Sequence, residues 1–335
     1  MDAPRASHGL KVLFLFAILF AVVFIVSRPA SAVDAAQKRM FMPLIMRAPP
    51  GRVLCENKVY DGYTRKLFVL DSAVDRDPSV QKIIRNCTFR NGNEPPIVLA
   101  DARNVLIEGS TFENIRTHVA GKGVHAINIA CRSACQIDNI VIRNNTFKYI
   151  GADGIQLGEE GRTISNVSIQ NNVFIGSEAV GENGIDIKGV DGPIYVTGNT
   201  FQGFRPCEAP KTGGSQDCTG STGPGMVIHD GDPSGIPNGV TVTLNRFLDN
   251  TYGLVVSNGA RNIVVSQNEF SNNLTVGLFL KDVYSIQVTG NSFNNNPVHV
   301  DLVGTPTLGG ACVVTGNTFS GVGKNLRYKN SSCSS

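Results

Sequence analysis

Four short stretches carry the side chains best suited to chemistry. They are AINIA from Ala126, GIQLG from Gly154, GIDIKG from Gly184 and GMVIHD from Gly225. In extended chain, alternate side chains point to opposite faces. Ile155 and Leu157, or Ile185 and Ile187, then face one way, and their neighbours face the other. Aligning the stretches on their glycines puts Asn128, Gln156 and Asp186 in one outward column. Gly158, Lys188 and His229 fall in the next column, followed by Ser257 and Lys281 from later segments. Asp153, Glu182 and Asn183 stand at the lip of the same segments. This brings a carboxylate, an amine and an imidazole onto one patch, a set able to move protons beside a charge. His229 has the ordinary pKa closest to neutrality and is the natural base. Lys188, beside Asp186, is held in its ammonium form. Asp186, Lys188 and His229 are therefore the catalytic candidates. Asn128 and Gln156 are candidates for holding substrate, with the basic Arg205 and Lys211 from the long connection Gly203 to Pro224. Taken singly, each of these residues also fits a plain solvated surface; the weight lies in the grouping.

Such a patch exists only if distant stretches are stacked, and a repeat supplies the stacking. The segment IVVSQNEF ending at Phe270 recurs with its terminal Phe at 89, 112, 147, 174, 201, 247, 293 and 319. Most of the intervals lie in the twenties, the period of a solenoid with one strand-turn unit per repeat. Alternating β-branched residues such as Ile263 and Val265 predict a strand with one inward face. Two residues before the Phe, Asn145, Asn172, Asn199, Asn245, Asn268, Asn291 and Asn317 share one position. Asn tolerates left-handed backbone, and its amide can bond the equivalent amide one coil away. These features predict an all-β chain, a single-stranded parallel β-helix of about nine or more coils, with the Phe residues stacked inside. A sandwich of short strands is the alternative, but it has no reason to keep this register.

Around the solenoid, residues 1–32 have the form of a secretory signal. Arg5 and Lys11 precede the apolar run Val12 to Val26, and Ala30-Ser31-Ala32 offers a cleavage site. Residues 33–52 are expected to form a tether or cap, and residues 53–335 the solenoid with a C-terminal cap. The eight Cys form an even set, suited to an oxidising compartment. Proximity pairs Cys131 with Cys135, Cys207 with Cys218, Cys55 with Cys87 and Cys312 with Cys333. The net charge of +3, without a basic cluster interleaved with aromatics, argues against a nucleic-acid partner. No later stretch is apolar enough to span a membrane. The expected mature form is a secreted monomer without membrane contact.

The solenoid segments resemble secreted right-handed parallel β-helix proteins that act on polysaccharides, such as pectate lyases. The run Glu182-Asn183-Gly184-Ile185-Asp186, with Asp153 one coil earlier, is similar to the Asp-Asp-Gly-x-Asp calcium run of family nine polysaccharide lyases. Glu182 and Asn183 depart from that run, which leaves a weaker calcium site or none. The family's catalytic Lys has no assignable counterpart, and the Gly-His-Gly turn of the pectin hydrolases is missing. The resemblance implies a polysaccharide substrate carrying uronate, calcium as cofactor on Asp153, Glu182, Asn183 and Asp186, and cleavage by β-elimination. A glycoside hydrolase using Asp153 and Asp186, and a non-catalytic carbohydrate-binding surface protein, remain as alternatives.

Overall fold

Short strands rich in Ile and Val cannot bury an inward face alone, so each one stacks on its counterpart in the next repeat. The computed structural model describes residues 51–116, 123–130, 135–158, 164–176, 181–205, 223–230, 235–304, 310–331 and 333–334. The secretory stretch and nearly all of the expected cap lie outside these residues. Three parallel sheets, each of ten strands, run side by side along the chain. We name them A, B and C after their first strands, Arg52–Glu56, Val59–Asp61 and Phe68–Leu70. Each coil adds one strand to each sheet, and equivalent residues face each other directly. Phe147 pairs with Phe112 and Phe174, and Ile155 pairs with Ile127 and Ile185. The Phe-ending repeats form sheets A and B, and the Gly-led stretches form sheet C. Among the described residues the one α-helix is the single turn Ala73–Arg76, closed by a Ser72–Asp75 capping box.

The interior is a set of columns. Phe112, Phe147, Phe174, Phe201, Phe247, Phe270 and Phe293 are buried and stacked almost face to face, with centroids 4.7 to 4.9 Å apart. Free aromatic pairs prefer offset or edge-on contact. Here the strand spacing of roughly 4.8 Å sets the geometry. Burying each ring contributes roughly 1.5–3 kcal/mol.

The Asn column forms the expected ladder. Asn199 Oδ1 accepts from the Asn172 backbone N–H at 2.8 Å and from Asn172 Nδ2 at 2.9 Å. Asn199 in turn donates to Asn245 Oδ1 at 3.0 Å. Ser110 continues the ladder towards the N-terminus, its hydroxyl accepting the Cys87 N–H at 3.1 Å. The left-handed backbone, however, falls one residue earlier than the sequence suggests. Asn144, Asn171, Leu244 and Gln267 carry the positive φ, while the ladder Asn residues do not. The turn residue reverses the chain so that the next amide points inward. A second ladder, Asn250–Asn273–Asn296, runs three residues after the Phe in the later coils. Asn273 starts an Asn-x-Thr sequence but is buried, so its amide is not accessible to a glycan.

The glycines that lead the sheet C strands follow from the Phe column. A Cβ at Gly184 would stand 2.7 Å from the Phe201 ring and 2.8 Å from the Gly225 carbonyl oxygen. No side chain fits there. Disulfides join Cys55 to Cys87 across the first two coils and Cys312 to Cys333 at the C-terminal end. Cys135 is also disulfide-bonded, while Cys131, Cys207 and Cys218 lie outside the described residues. Disulfides of this kind fit an oxidising, extracellular setting. Among the described residues no helix is long and apolar enough to cross a membrane.

Candidate active site

Sheet C carries the polar patch on three adjacent strands and the one that follows. Asn128, Gln156 and Asp186 pair in register on the strands Ile127–Ile129, Ile155–Leu157 and Ile185–Ile187. The pattern continues with Val227 on the strand Pro224–Ile228, so the polar stretch of this column ends at Asp186. One step further along, the Lys188 N–H bonds the Leu157 carbonyl and the His229 N–H bonds the Ile187 carbonyl, which sets Lys188 beside His229. Both reach the same carboxylate. Lys188 Nζ lies 3.3 Å from Asp186 Oδ2, and His229 Nε2 lies 3.2 Å from Asp186 Oδ1. The sequence thus places these three residues correctly relative to one another.

A third column at the lip contains a residue that the sequence reading missed. His125, Asp153 and Asn183 each stand two positions before their strand. His125 Nδ1 lies 3.1 Å from Asp153 Oδ2, and Asn183 Nδ2 donates to Asp153 Oδ1 at 2.9 Å. The signal was present in the alignment that placed Asp153 and Asn183. The column one residue before the strand lead holds His125, Asp153 and Asn183, of which only the last two belong to the pattern that resembles a calcium site. Glu182 precedes Asn183 and lies among these charges. Arg205 is half-buried at the edge of the long connection, and Lys211 lies outside the described residues.

The electrostatics follow from this crowding. His229 Nδ1 faces the Asp230 carbonyl at 2.8 Å. Its other nitrogen faces Asp186, so both ring nitrogens are next to acceptors and both are needed as donors. Burial alone would lower the His229 pKa, but the Asp186 hydrogen bond and charge outweigh burial and raise it. Lys188 is raised in the same way, burial opposing and Asp186 prevailing. Asp186 itself is held below the ordinary carboxylate range; burial works against ionisation, and His229 and Lys188 overcome it. His125 is raised, its burial outweighed by Asp153 and, at longer range, Glu182 and Asp186. Glu182 moves the other way. Burial first, then the charge of Asp153, pushes it up to about 7. Lys188 and His229 thus favour their charged forms, and Glu182 holds its proton well above the ordinary carboxylate range.

The same geometry bears on a cation. A calcium ion takes six to eight oxygens. Among the described residues no group of three or more His, Cys, Asp or Glu side chains converges as a metal shell. Asp186 is neutralised by Lys188 and His229, and Asp153 is held between His125 and Asn183. The donor set does not fit calcium as it stands. Beside the charged groups, Gln156 Oε1 and Asn183 Oδ1 are buried acceptors with no hydrogen-bond partner among the described residues. A buried unpaired acceptor costs roughly 1–3 kcal/mol. That cost is relieved when a ligand brings hydroxyl or amide donors.

Residues 57–205 and 211–334 match the family described as right handed beta helix region, and the chain belongs to that family. No curated protein matches the sequence. Solved structures similar to it include the A-module of the mannuronan C-5 epimerase AlgE6 of Azotobacter vinelandii, at 14% identity over 83% of this chain and 80% of that one, with a TM-score of 0.45. The surface adhesin PfbA of Streptococcus pneumoniae is 14% identical over 70% of this chain and 63% of its own, with a TM-score of 0.44. A mannuronic acid specific polysaccharide family 6 lyase from human gut microbiota is 13% identical over 79% and 64%, with a TM-score of 0.35. Likenesses this distant carry no chemistry, because one fold hosts many reactions.

Proposed function

We propose that this is a secreted polysaccharide-active protein that cleaves a uronate-containing chain by β-elimination on the outer face of sheet C. The observation that carries the reading is the convergence of Lys188 and His229 on Asp186, with unpaired acceptors in the neighbouring columns. Two cationic side chains at one spot can take the carboxylate of a uronate. Withdrawing charge from that carboxylate acidifies the adjacent C–H. Glu182, as carboxylate, removes this proton. The electron pair forms the new C=C bond as the C–O bond to the neighbouring sugar breaks. The His229 imidazolium gives its proton to the departing oxygen. The products are an unsaturated uronide and a shortened chain with a new reducing end. Gln156 Oε1 and Asn183 Oδ1 accept sugar hydroxyls, and Asn128 lines the same face.

The hydrolase alternative needs one of its paired carboxyls to hold a proton at working pH. Asp186, kept ionised by two cations, is a poor choice for that acid. A purely binding role uses the same face without turnover. The test is ultraviolet absorbance of the unsaturated product on pectate, alginate and related uronic polymers, with calcium and with chelator. We expect product in both arms. Product in the calcium arm alone would overturn the calcium-independent form of the mechanism. Binding without product in either arm would leave only the carbohydrate-binding role.

A further inference from the structure

We propose that the outer face of sheet C extends the catalytic patch toward the C-terminus as a track for the acidic polymer, with cations along one rim and an aromatic platform on Tyr252 and Phe279. The inference rests on the uronate reading above and adds where the rest of the chain lies. From Lys188 and His229, the rim column continues through Ser257, Lys281 and Val303 to Lys329. Four of its six members are basic and none is acidic. Lys281 and Lys329 are exposed and stand in no ion pair among the described residues. From Lys188 to Lys329 the column crosses five strand spacings, roughly 24 Å. That length suits an oligosaccharide rather than a single sugar.

The middle column carries the second feature. Beyond Asp186 it reads Val227, Val255 and Phe279, then Asp301 and Arg327. Tyr252, on the flank of the same sheet, meets Phe279 edge-on with ring centroids 6.0 Å apart. Both rings are half-buried, so each keeps a solvent-facing part on which a sugar ring can rest. Asp301, the acid of this column beyond Asp186, is buried and neutralised by Nε and Nη2 of Arg327. It therefore does not repel a polyanion. The loops agree with this arrangement. Long connections precede the strands that hold Asp186 and His229. Short ones, such as Leu248 to Tyr252 and Asn294 to Val298, precede the later strands.

The test is calorimetric binding of uronate di- and hexasaccharides of the galacturonate, mannuronate and guluronate series, with a neutral glucan hexasaccharide as control. One uronate hexasaccharide is expected to bind at least about tenfold tighter than its disaccharide, with the gain weakening at high salt. The double variant Lys281→Gln, Lys329→Gln removes about tenfold of that gain, since both exposed ammonium groups lose their attraction for the polymer's carboxylates. Phe279→Ala weakens the hexasaccharide and leaves the disaccharide unchanged. A hexasaccharide that binds no better than the disaccharide, or a gain that survives both variants, overturns the track. If disaccharide units are still released from polymer in that case, the catalytic reading stands without it. If the length-dependent gain is present but no unsaturated product forms, the track stands and the catalytic reading falls.

Discussion

Replacing Asn199 with Ala tests whether the amide ladder holds the catalytic coils together. Asn199 belongs to the coil that carries His229, and Asn172 belongs to the coil that carries Asp186 and Lys188. Asn199 is fully buried. Its Oδ1 accepts the Asn172 N–H at 2.8 Å, and its Nδ2 donates to the Ile169 carbonyl at 2.9 Å. Other groups keep partners after truncation. Asn172 Nδ2 retains the Ile142 carbonyl at 3.0 Å, and Asn245 Oδ1 retains the Asn199 N–H at 2.9 Å. Two backbone groups therefore lose these bonds in a dry interior, the Asn172 N–H and the Ile169 carbonyl. At about 1–3 kcal/mol each, the cost is about 2–6 kcal/mol. Urea unfolding measures the global loss, and hydrogen exchange at the Asn172 amide measures the local one. Protection there should fall at least about thirtyfold, which corresponds to roughly 2 kcal/mol. Asn199→Ser is the control. Ser110 already serves the ladder with a hydroxyl, so Ser at position 199 should recover part of the loss. An Ala variant within about 0.5 kcal/mol of the parent, or a Ser variant no better than Ala, would refute the reasoning.

The other predictions concern the site and its support. Glu182→Gln should lower turnover of the uronic polymer about 10²–10⁴-fold, and the parent rate should fall as pH drops through about 7, where Glu182 takes up its proton. A rate independent of pH between 5 and 8 removes Glu182 as base. The same group makes a statement about stability. Its folded pKa lies above the ordinary 4.5, so the folded state binds the proton more tightly, and stability falls as pH rises from about 4.5 through about 7, by at most roughly 3 kcal/mol. Unfolding midpoints of Glu182→Gln should be flatter over that range. Asp186→Asn removes what raises His229 and leaves its burial, so the imidazole should titrate below its ordinary value instead of above it; proton NMR of His229 reads this directly. Gly184→Ala forces a methyl against Phe201 and the Gly225 carbonyl and should cost about 1–3 kcal/mol in denaturant unfolding.

Much of this molecule was legible in its amino acids because its contacts repeat. The Phe and Asn positions fix a period, and a period fixes which residues stack, so Asp186, Lys188 and His229 could be brought together before any coordinates. The register of sheet C needed one further clue, the Gly before each strand. It held even at Ala126, where Asn128 pairs with Gln156 as aligned, and what went unnoticed was His125, one residue before the strand lead, in the same column as Asp153 and Asn183. Local backbone was less legible. The left-handed residue proved to be the one before each ladder Asn, a position filled variously by Asn, Gly, Leu and Gln and hence without a sequence signature.

Proton placement was least legible, for a physical reason. A repeat reveals neighbours, but a pKa depends on which atom faces which. His229 was expected to be a base because free imidazole is one. The two acceptors at its nitrogens, the Asp230 carbonyl and Asp186, favour its charged form. Glu182 was expected to bind a cation because carboxylates do so. Burial, and then the charge of Asp153, also pushes its pKa up to about 7. Asp186 links the two outcomes. Under the proposed elimination, Asp186 favours the charged forms of Lys188 and His229 that would seat a substrate carboxylate, and its own charge adds to the field that holds the Glu182 proton. When a uronate enters that seat, a further negative charge reaches the cluster and Glu182 becomes more basic. The substrate thus strengthens the base that attacks it. The Glu182-dependent limb of the pH profile should accordingly lie at higher pH for the saturated complex than for the free protein.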